Sequence, residues 1–421
     1  MSEQLAAGGS MIGSARRSES LSRSCATVLI VTLSTSSMFG APVDFAPAWA
    51  RFETAFSDLM KQEPMVGGAV WFFHEGRPSA KLLHGMADLE ANRRVDEDTI
   101  FHWGSVTKTL TGIAILQLRD RGLLALDDPV VKYLPELRKV HNPYGDMETI
   151  TIRHVMTHSA GFRAGTWPWG TGEPWQPFEP TEWEQLVAMF PYTQIEFEPG
   201  SRFSYSNPAI IFLGRIIEIL AGEDYEVYVD KNIFKPLGMH RSYFDRTPYH
   251  LLPFRSNNYT VRDGVPKANG LDFDTGITVS NSGLNSPISD LGLYVAFLMG
   301  DPAMQVEYDR ILKRSSLEEM WEPKLPMTDP VAETTGTSRE SIGLIFFVSE
   351  RDGMKLVGHT GSQAAFQSFL YVDPQAKTAA IAAFNTDGVE RDGVRRPDAR
   401  KVLTRVREQL FEEIFPLFRT P

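Results

Sequence analysis

Residues 105–118 read Ser105-Val-Thr-Lys108-Thr-Leu-Thr-Gly-Ile-Ala-Ile-Leu-Gln-Leu118 and carry the most informative pattern of the chain. Their apolar residues recur at close to helical spacing, which predicts a helix. Positions i and i+3 of a helix are neighbours, about 5–6 Å apart at Cβ, so the Ser105 hydroxyl and the Lys108 amine are predicted to meet. A serine becomes a good nucleophile when a base takes its proton, and a lysine of lowered pKa can be that base. Because S-x-x-K also occurs by chance in many chains, the rest of the sequence decides its meaning.

The composition of the 421-residue chain is that of an ordinary globular protein, with 42% apolar and 23% charged residues. The formal net charge of −11 argues against nucleic acid and against anionic membrane surfaces as partners. The single cysteine, Cys25, excludes an intrachain disulfide, and its place near the N-terminus argues against thiol catalysis. After residue 50 no apolar stretch approaches the length of a membrane-spanning helix, so we expect no membrane span in the mature chain.

Residues 1–48 are predicted to be a leader. A basic region, a moderately apolar stretch from Cys25 to Met38 and the small residues of Ala46-Pro-Ala48 have the form of a secretory signal peptide. We therefore expect a periplasmic or secreted protein. A disordered leader on a cytoplasmic enzyme is the alternative, because Ser and Thr interrupt the apolar stretch.

Residues 49–421 are predicted to form one domain of the α/β (α+β) class. Helical patterns occur at 48–61, 105–121, 149–158, 210–220, 226–234 and 403–415, and strand patterns at 66–74, 81–85, 342–350, 354–357, 365–372 and 378–385. Because strands lie at both ends of the chain, we expect an antiparallel sheet built from residues 49–104 and 335–421 and flanked by helices. A mainly helical region, residues 105–334, is then inserted between the two halves of the sheet.

Three short motifs follow one another along the chain: Ser105-Val-Thr-Lys108, Tyr205-Ser-Asn207 and His359-Thr-Gly-Ser362. Further stretches accompany them, among them Phe197-Glu-Pro-Gly200 and Pro236-Leu-Gly-Met239. With these motifs in this order, residues 50–415 resemble the serine β-lactamase-related family of class C β-lactamases, D,D-peptidases, D-aminopeptidases and similar esterases. The resemblance implies a β-lactamase/transpeptidase-like fold and a serine hydrolase that works through an acyl-enzyme, with no metal and no cofactor.

The resemblance also implies catalytic roles. Ser105 matches the nucleophile that becomes acylated, and Lys108 matches the lysine that activates it. Tyr205 corresponds to the tyrosine that shuttles protons, and Asn207 to the amide that orients Lys108 or the substrate. These residue types suit acyl transfer, which needs a nucleophile and a base.

The third motif departs from the family pattern. His359, the fourth catalytic candidate, stands where many members carry a lysine, while the backbone N–H groups of Ser105 and Ser362 take the places of the oxyanion hole. Gly361 would let the strand approach the substrate closely. A histidine is mostly neutral at pH 7, so a clamp for a substrate carboxylate is weakened. This favours an esterase or an aminopeptidase-like hydrolase over an efficient β-lactamase.

Residues 161–183 are rich in Gly, Pro and Trp and hold four of the eight tryptophans. Trp167 and Trp169 are candidate substrate-binding residues, on the hypothesis that they form an apolar rim for a hydrophobic acyl or alcohol group. The alternative is that these aromatic residues only pin a long loop to the helical region.

Three other polar residues are interpreted as structural. His154 and His158 have a spacing that can bind zinc, but no acidic third ligand presents itself. Asp290 is expected to cap a helix.

We therefore expect a hydrolase for a small-molecule ester or amide, with carboxylic esters as the first choice. D-amino peptidase, D,D-carboxypeptidase or weak β-lactamase activity comes second, and acyl transfer to another acceptor third. A binding or sensor module that deacylates slowly is the non-enzyme alternative. An α/β-hydrolase is disfavoured because the chain lacks a G-x-S-x-G elbow. The sequence leaves the oligomeric state open.

Overall fold

The computed structural model describes residues 42, 44–166, 180–270, 275–327, 339–391 and 393–419. Most of the predicted leader lies outside these residues, so export stays a prediction. The boundary predicted at residue 48 falls inside the first helix, where Phe45 and Ala48 are buried. Throughout the described ranges, no helix combines the length and the apolar character needed to cross a membrane.

The strands of the described residues fall into three sheets. In chain order they are β1 (Gly67–His74), β2 (Arg77–Asp88), β3 (Arg93–Arg94), β4 (Ile100–His102), β5 (Tyr243–Phe244), β6 (Tyr259–Arg262), β7 (Val265–Ala268), β8 (Leu284–Pro287), β9 (Leu325–Pro326), β10 (Arg339–Ile342), β11 (Phe347–Arg351), β12 (Met354–Gln363), β13 (Phe366–Asp373), β14 (Thr378–Phe384), β15 (Thr386–Arg391) and β16 (Val394–Arg396). The main sheet is antiparallel and has the order β3-β2-β1-β14-β13-β12-β11-β10-β9. Pairing of β1 with β14 confirms a sheet built from both ends of the chain.

Helices flank this sheet and fill the middle of the chain. They are α1 (Phe45–Gln62), α2 (Thr107–Asp120), α3 (Ile152–Met156), α4 (Trp183–Met189), α5 (Asn207–Ala221), α6 (Tyr225–Val229), α7 (Lys235–Leu237), α8 (Val279–Ser282), α9 (Ile288–Met299), α10 (Gln305–Ile311), α11 (Arg314–Met320) and α12 (Ala399–Gln409). Short 3₁₀ or π turns extend several of them, including Gly104–Val106 before α2, Asp230–Phe234 between α6 and α7, and Leu410–Ile414 after α12.

Both faces of the main sheet are covered, as the alternation along β1 illustrates. Trp71 and Phe73 point into the core formed with the central helices. Val70 and Phe72 point into the opposite core, which α1 and α12 cover. Because successive side chains of a strand point to opposite faces, a nearly continuous apolar strand is buried on both sides. The sheet is therefore the middle of three layers.

The strand predicted at residues 342–350 is wrong as a single element, because the chain turns between β10 and β11. Backbone N–H groups of Leu344 and Ile345 donate to the carbonyls of Met320 and Met156, and so leave the sheet. Ile345 adopts a φ of 72° at this turn. The third motif falls between the strands predicted at 354–357 and 365–372, and in the structure it lies within β12, which is longer than predicted.

The inserted region is not purely helical, since β5 to β9 all lie in it. β4 and β5 pair with β8 in a three-stranded sheet, and β6 and β7 join β15 and β16 in a four-stranded one. The helix predicted at 149–158 is only the five residues of α3. Of these short elements, β8 lies beside the start of α2, because the backbone N–H of Trp103 donates to the carbonyl of Leu284.

Close backbone packing sets the start of α2 against β12. A Cβ on Gly361 would lie 2.0 Å from the carbonyl oxygen of Trp103, and a Cβ on Gly104 would lie 2.9 Å from the backbone nitrogen of Ser362. Gly104 also has a φ of 50°, in the left-handed region that favours glycine. The turn that carries Ser105 therefore lies directly on the strand that carries the third motif.

Candidate active site

Ser105 and Lys108 meet as their spacing predicts. Ser105 lies in the 3₁₀ turn Gly104–Val106 and is half-buried. Lys108 follows in the first turn of α2, and its Nζ is 2.8 Å from Ser105 Oγ. The pair is thus in hydrogen-bond contact, which is the geometry that proton transfer from the serine to the amine requires.

Burial decides the electrostatic state of Lys108. The residue is fully buried, and the loss of hydration lowers its pKa well below the ordinary value, because an ammonium ion is disfavoured away from water. Its second hydrogen bond runs to the backbone carbonyl of Asn281, at 2.8 Å. Both partners are uncharged oxygens, so neither favours the ammonium form through an ion pair, and the lowered pKa favours the neutral amine that can act as a base.

Tyr205 is the third member of this group. Its phenol lies close enough to the Ser105 side chain for the two to interact, and Lys108 Nζ lies 5.0 Å from the centre of its ring. Burial raises the pKa of Tyr205 above its ordinary value, and the interaction with Ser105 only partly opposes this. Tyr205 therefore stays a phenol at neutral pH. Of the two groups on Ser105, the lysine suits the role of proton acceptor and the tyrosine that of proton donor.

His359 lies beside this group, on β12. It is buried, and its ring stacks on Phe347 with centroids 4.1 Å apart, while the centroid of Tyr205 is 6.2 Å away. Its Nδ1 bonds the carbonyl oxygen of Thr360. Burial, followed by the nearby amine of Lys108, lowers the pKa of His359 to about 3. The third motif therefore presents a neutral imidazole.

Hydrogen bonds hold the backbone next to Ser105. Trp103 donates from its N–H to the carbonyl of Leu284, and its own carbonyl accepts from Ser368 Oγ, at 2.9 Å in each case. Its indole donates to the carbonyl of Ser286 at 2.8 Å. These contacts fix the peptide just before the turn that carries Ser105. Ser362 lies opposite that turn, with an exposed side chain.

The remaining predicted site residues have different outcomes. Asn207 is the first residue of α5, and its backbone N–H donates to Ala164. The amine of Lys108 donates to Ser105 Oγ and to the carbonyl of Asn281, so a role for Asn207 stays a prediction. Trp167 and Trp169 lie outside the described residues.

Asn281 is a site residue that sequence reasoning missed. Its carbonyl is delivered by the short helix α8, which Thr111 of α2 fixes through a hydrogen bond to Ser280 at 2.6 Å. A backbone carbonyl has no sequence signature, and this one is 173 positions from Lys108.

The two histidines of α3 and the following turn have separate contacts. His154 completes a capping box with Thr151, which confirms a structural role. His158 stacks on Tyr205 with ring centroids 4.5 Å apart, a contact that sequence reasoning also missed. In the part of the chain that the structure describes, no group of three or more His, Cys, Asp or Glu side chains is placed to hold a metal ion.

Asp290 was expected to cap a helix, and this expectation is wrong. Its carboxylate accepts from the backbone N–H of Arg241 and from Ser242 Oγ, at 2.8 and 3.0 Å. The N-cap position of its own helix, α9, is Pro287. Asp290 therefore ties the turn after α7 to α9.

Comparison with known proteins agrees with this arrangement. A family profile described as Beta-lactamase matches residues 52–404, which is most of the chain. This chain belongs to the Beta-lactamase family. The solved structure of the octameric penicillin-binding protein homologue from Pyrococcus abyssi is similar to this chain. The two superpose with a TM-score of 0.67 at 26% identity, over 84% of this chain and 76% of that one. The predicted fold class and the predicted family are both confirmed.

Two curated relatives of this Beta-lactamase family member are named for different activities. Esterase EstB of Burkholderia gladioli is 33% identical over 209 residues, which are 47% of this chain and 52% of the relative. A Beta-lactamase of Yersinia enterocolitica is 31% identical over 211 residues, which are 49% of each protein. The chain thus matches about half the length of these relatives.

Proposed function

We propose that this protein is a serine hydrolase that cleaves uncharged carboxylic esters through a covalent acyl-enzyme on Ser105. The observation that carries the proposal is the 2.8 Å contact between Ser105 Oγ and the buried amine of Lys108, whose pKa is lowered. Similarity to the relative named Esterase EstB supports ester chemistry.

Acylation begins when Ser105 Oγ attacks the carbonyl carbon of the ester and its proton passes to the neutral amine of Lys108. The carbonyl oxygen becomes an oxyanion, for which the backbone N–H groups of Ser105 and Ser362 are the proposed donors. The bond to the alcohol oxygen then breaks. Tyr205 donates its phenolic proton to that oxygen and takes the proton held by Lys108, so the alcohol leaves uncharged.

Deacylation repeats these steps with water. A water molecule attacks the acyl carbonyl and gives its proton to Lys108. The bond between the acyl carbon and Ser105 Oγ breaks, and the serine oxygen regains a proton by way of Tyr205. A carboxylic acid leaves, and the three side chains return to their starting protonation states.

The neutral state of His359 supports an uncharged substrate. A lysine at this position would offer a fixed positive charge to a substrate carboxylate, whereas the buried imidazole of His359, with its pKa of about 3, offers none at neutral pH. Binding a carboxylate here would remove its hydration without supplying an ionic partner, which is unfavourable. Esters that lack a carboxylate avoid this cost.

The experiment is steady-state hydrolysis of p-nitrophenyl butyrate by the full chain, its Ser105→Ala variant and a matched Ser201→Ala control. Ser201 is exposed and bonds only a local carbonyl, that of Glu198. We expect Ser105→Ala to lose at least about 10³-fold in kcat, because removing a nucleophile disables the whole group. Ser201→Ala should keep full activity.

Other outcomes separate the alternatives. A burst of one p-nitrophenolate per chain without further turnover would identify the slowly deacylating sensor. Turnover of D-amino amides or β-lactams without ester turnover would replace the ester proposal by an amidase. Equal ester activity of wild type and Ser105→Ala would overturn the acyl-enzyme itself.

A further inference from the structure

His158 contacts the segment around Tyr205 at three points. Its ring stacks on the ring of Tyr205, with centroids 4.5 Å apart and planes 26° from parallel. Its backbone carbonyl accepts the N–H of Ser204 at 2.8 Å, and its Nδ1 accepts the N–H of Ser206 at 3.1 Å. One residue thus holds the backbone on both sides of Tyr205 and the side chain between them.

From this geometry we infer that His158 is a positioning residue for proton transfer, which holds the Tyr205 phenol on Ser105. The inference rests on the proposed function, because Tyr205 is the proton donor there. A tyrosine ring turns about two side-chain torsions. The stack on His158 restricts both, and the two backbone hydrogen bonds fix where the side chain begins.

The backbone of His158 is arranged for these contacts. The residue follows α3 and has a φ of 51°, in the left-handed region where Asn, Asp and His are the least strained residues after glycine. This turn aims the carbonyl of His158 at Ser204 and its ring at Tyr205 and Ser206.

The contacts also fix the protonation state of the ring. Because Nδ1 accepts a backbone N–H, it carries no proton, and the hydrogen of the neutral imidazole is on Nε2. Burial, with the nearby Lys108, keeps the pKa of His158 well below its ordinary value, so the ring stays neutral. A protonated ring would lose the acceptor and with it the bond to Ser206.

The presence of a histidine at position 158 supports a role in positioning Tyr205 rather than in filling space. His158 Nε2 is buried without a hydrogen-bond partner, which is a cost to folding. Phenylalanine would stack on Tyr205 without that cost but cannot accept from Ser206. Asparagine would accept but has no ring. Imidazole is the side chain that offers a flat ring and an acceptor next to the backbone.

Two variants separate these contributions. His158→Asn suits the left-handed backbone and keeps an acceptor, but removes the stacked ring. His158→Phe keeps a ring and removes the acceptor. His154→Asn is the matched control, because His154 belongs to the same segment and caps α3, and the rings that contact Tyr205 among the described residues are those of His158, Phe347 and His359. Thermal unfolding of each variant confirms that it is folded.

The kinetic readout compares p-nitrophenyl butyrate with benzyl butyrate. The p-nitrophenolate leaves without protonation, whereas a benzyl alcohol must receive a proton from Tyr205. We expect both His158 variants to lose about tenfold or more in kcat/KM on benzyl butyrate and much less in kcat/KM on the p-nitrophenyl ester, because kcat/KM reflects acylation and not the deacylation step that both esters share. In a Tyr205→Phe background the same substitutions should have no further effect, since the group they position is gone.

Equal losses on the two esters, or losses that add to that of Tyr205→Phe, would overturn the inference and leave His158 a purely structural role. Should the chain hydrolyse neither ester, the proposed function fails, and NMR of ring-labelled tyrosine decides the inference separately. The Tyr205 resonance is identified by its disappearance in Tyr205→Phe. Positioning predicts that it shifts and broadens in His158→Asn but not in His154→Asn; an unchanged resonance in both would refute it.

Discussion

Lys108 Nζ lies 2.8 Å from the backbone carbonyl oxygen of Asn281. The buried amine is therefore held by a neutral acceptor and not by a carboxylate. A carboxylate there would stabilise the ammonium form and keep the pKa of Lys108 high. The carbonyl orients the amine toward Ser105 without doing so. Orientation and low basicity, which conflict in an ion pair, are therefore both met at this site.

The pH dependence of the reaction should reflect this state of Lys108. A base acts only when unprotonated, so activity is lost as the pH falls through the lowered pKa of Lys108. We expect kcat/KM for p-nitrophenyl butyrate to reach its plateau well below about pH 10.4, the ordinary lysine value. Lys108→Arg, which stays charged, should lose about 10²–10⁴-fold and the pH limb together. The exposed Lys132→Arg serves as control, and an acid limb near pH 10 in the wild type would contradict this account.

Packing of Gly104 on Ser362 should be essential for catalysis. A Cβ at Gly104 would meet the Ser362 nitrogen at 2.9 Å, whereas a Cβ at Gly122 would meet nothing within 4 Å, although both glycines have positive φ. Alanine at either position strains the backbone by about 1–2 kcal/mol. Only Gly104→Ala should displace the proposed oxyanion donor, the backbone N–H of Ser362, with a loss of about 10²-fold or more in kcat.

Kinetics and urea unfolding of the two glycine variants check this expectation. A larger loss of unfolding free energy in Gly104→Ala, in which the backbone contact adds to the strain that both variants share, and a loss of activity in that variant alone are the expected outcome. Equal activity of Gly104→Ala and Gly122→Ala would show that the close approach at Ser362 does not serve the reaction.

Contacts between residues that are close in sequence were predictable, whereas contacts between distant residues were not. The pairing of Ser105 with Lys108 was predictable because it depends on helical geometry over three residues. The carbonyl of Asn281 was not, because its position depends on how α8 packs against α2. Likewise, the local pattern predicted a single strand at residues 342–350. It could not show the turn, because the turn depends on hydrogen bonds from Leu344 and Ile345 to carbonyls that are distant in sequence.

The stack of His158 on Tyr205 illustrates the same limit at the site. The spacing of His154 and His158 suggested only that both face one side of a helix. In the structure α3 ends at Met156, and His158 turns away with a positive φ. That turn, which no hydrophobic pattern encodes, carries the ring to a residue 47 positions later.

Acid should destabilise this protein through its buried histidines. His102, His158 and His359 are each about 1% exposed, and burial lowers the pKa of each, to about 3 for His102 and His359. Unfolded histidine has a pKa of about 6.5. Above that value none of the three favours the unfolded chain. Below it the unfolded chain binds protons that the folded one does not, so each costs up to about 1.4 kcal/mol of unfolding free energy per pH unit.

Urea unfolding between pH 7.5 and 4.5 measures this loss. His102→Gln should reduce the slope of the unfolding free energy against pH by one proton's share, while substitution of the exposed His250 by Gln should leave the slope unchanged. A slope that does not respond to His102→Gln would mean that carboxylates, rather than buried histidines, govern the acid limit.

A cation at position 359 should change which esters are preferred. His359 is neutral and packed on Phe347, so the wild type should favour p-nitrophenyl hexanoate over the p-nitrophenyl monoester of adipic acid, which has the same chain length and a terminal carboxylate. His359→Lys and His359→Arg should raise the adipate-to-hexanoate ratio of kcat/KM by about tenfold, equivalent to about 1.4 kcal/mol of added attraction. The Arg variant is included because burial could neutralise a lysine at this position, whereas a guanidinium stays charged. His359→Gln, which changes the shape but adds no charge, should leave the ratio as it is. If the folded Arg variant also leaves the ratio unchanged, the substrate does not extend to β12 at this point, and the preference for uncharged esters must come from another part of the site.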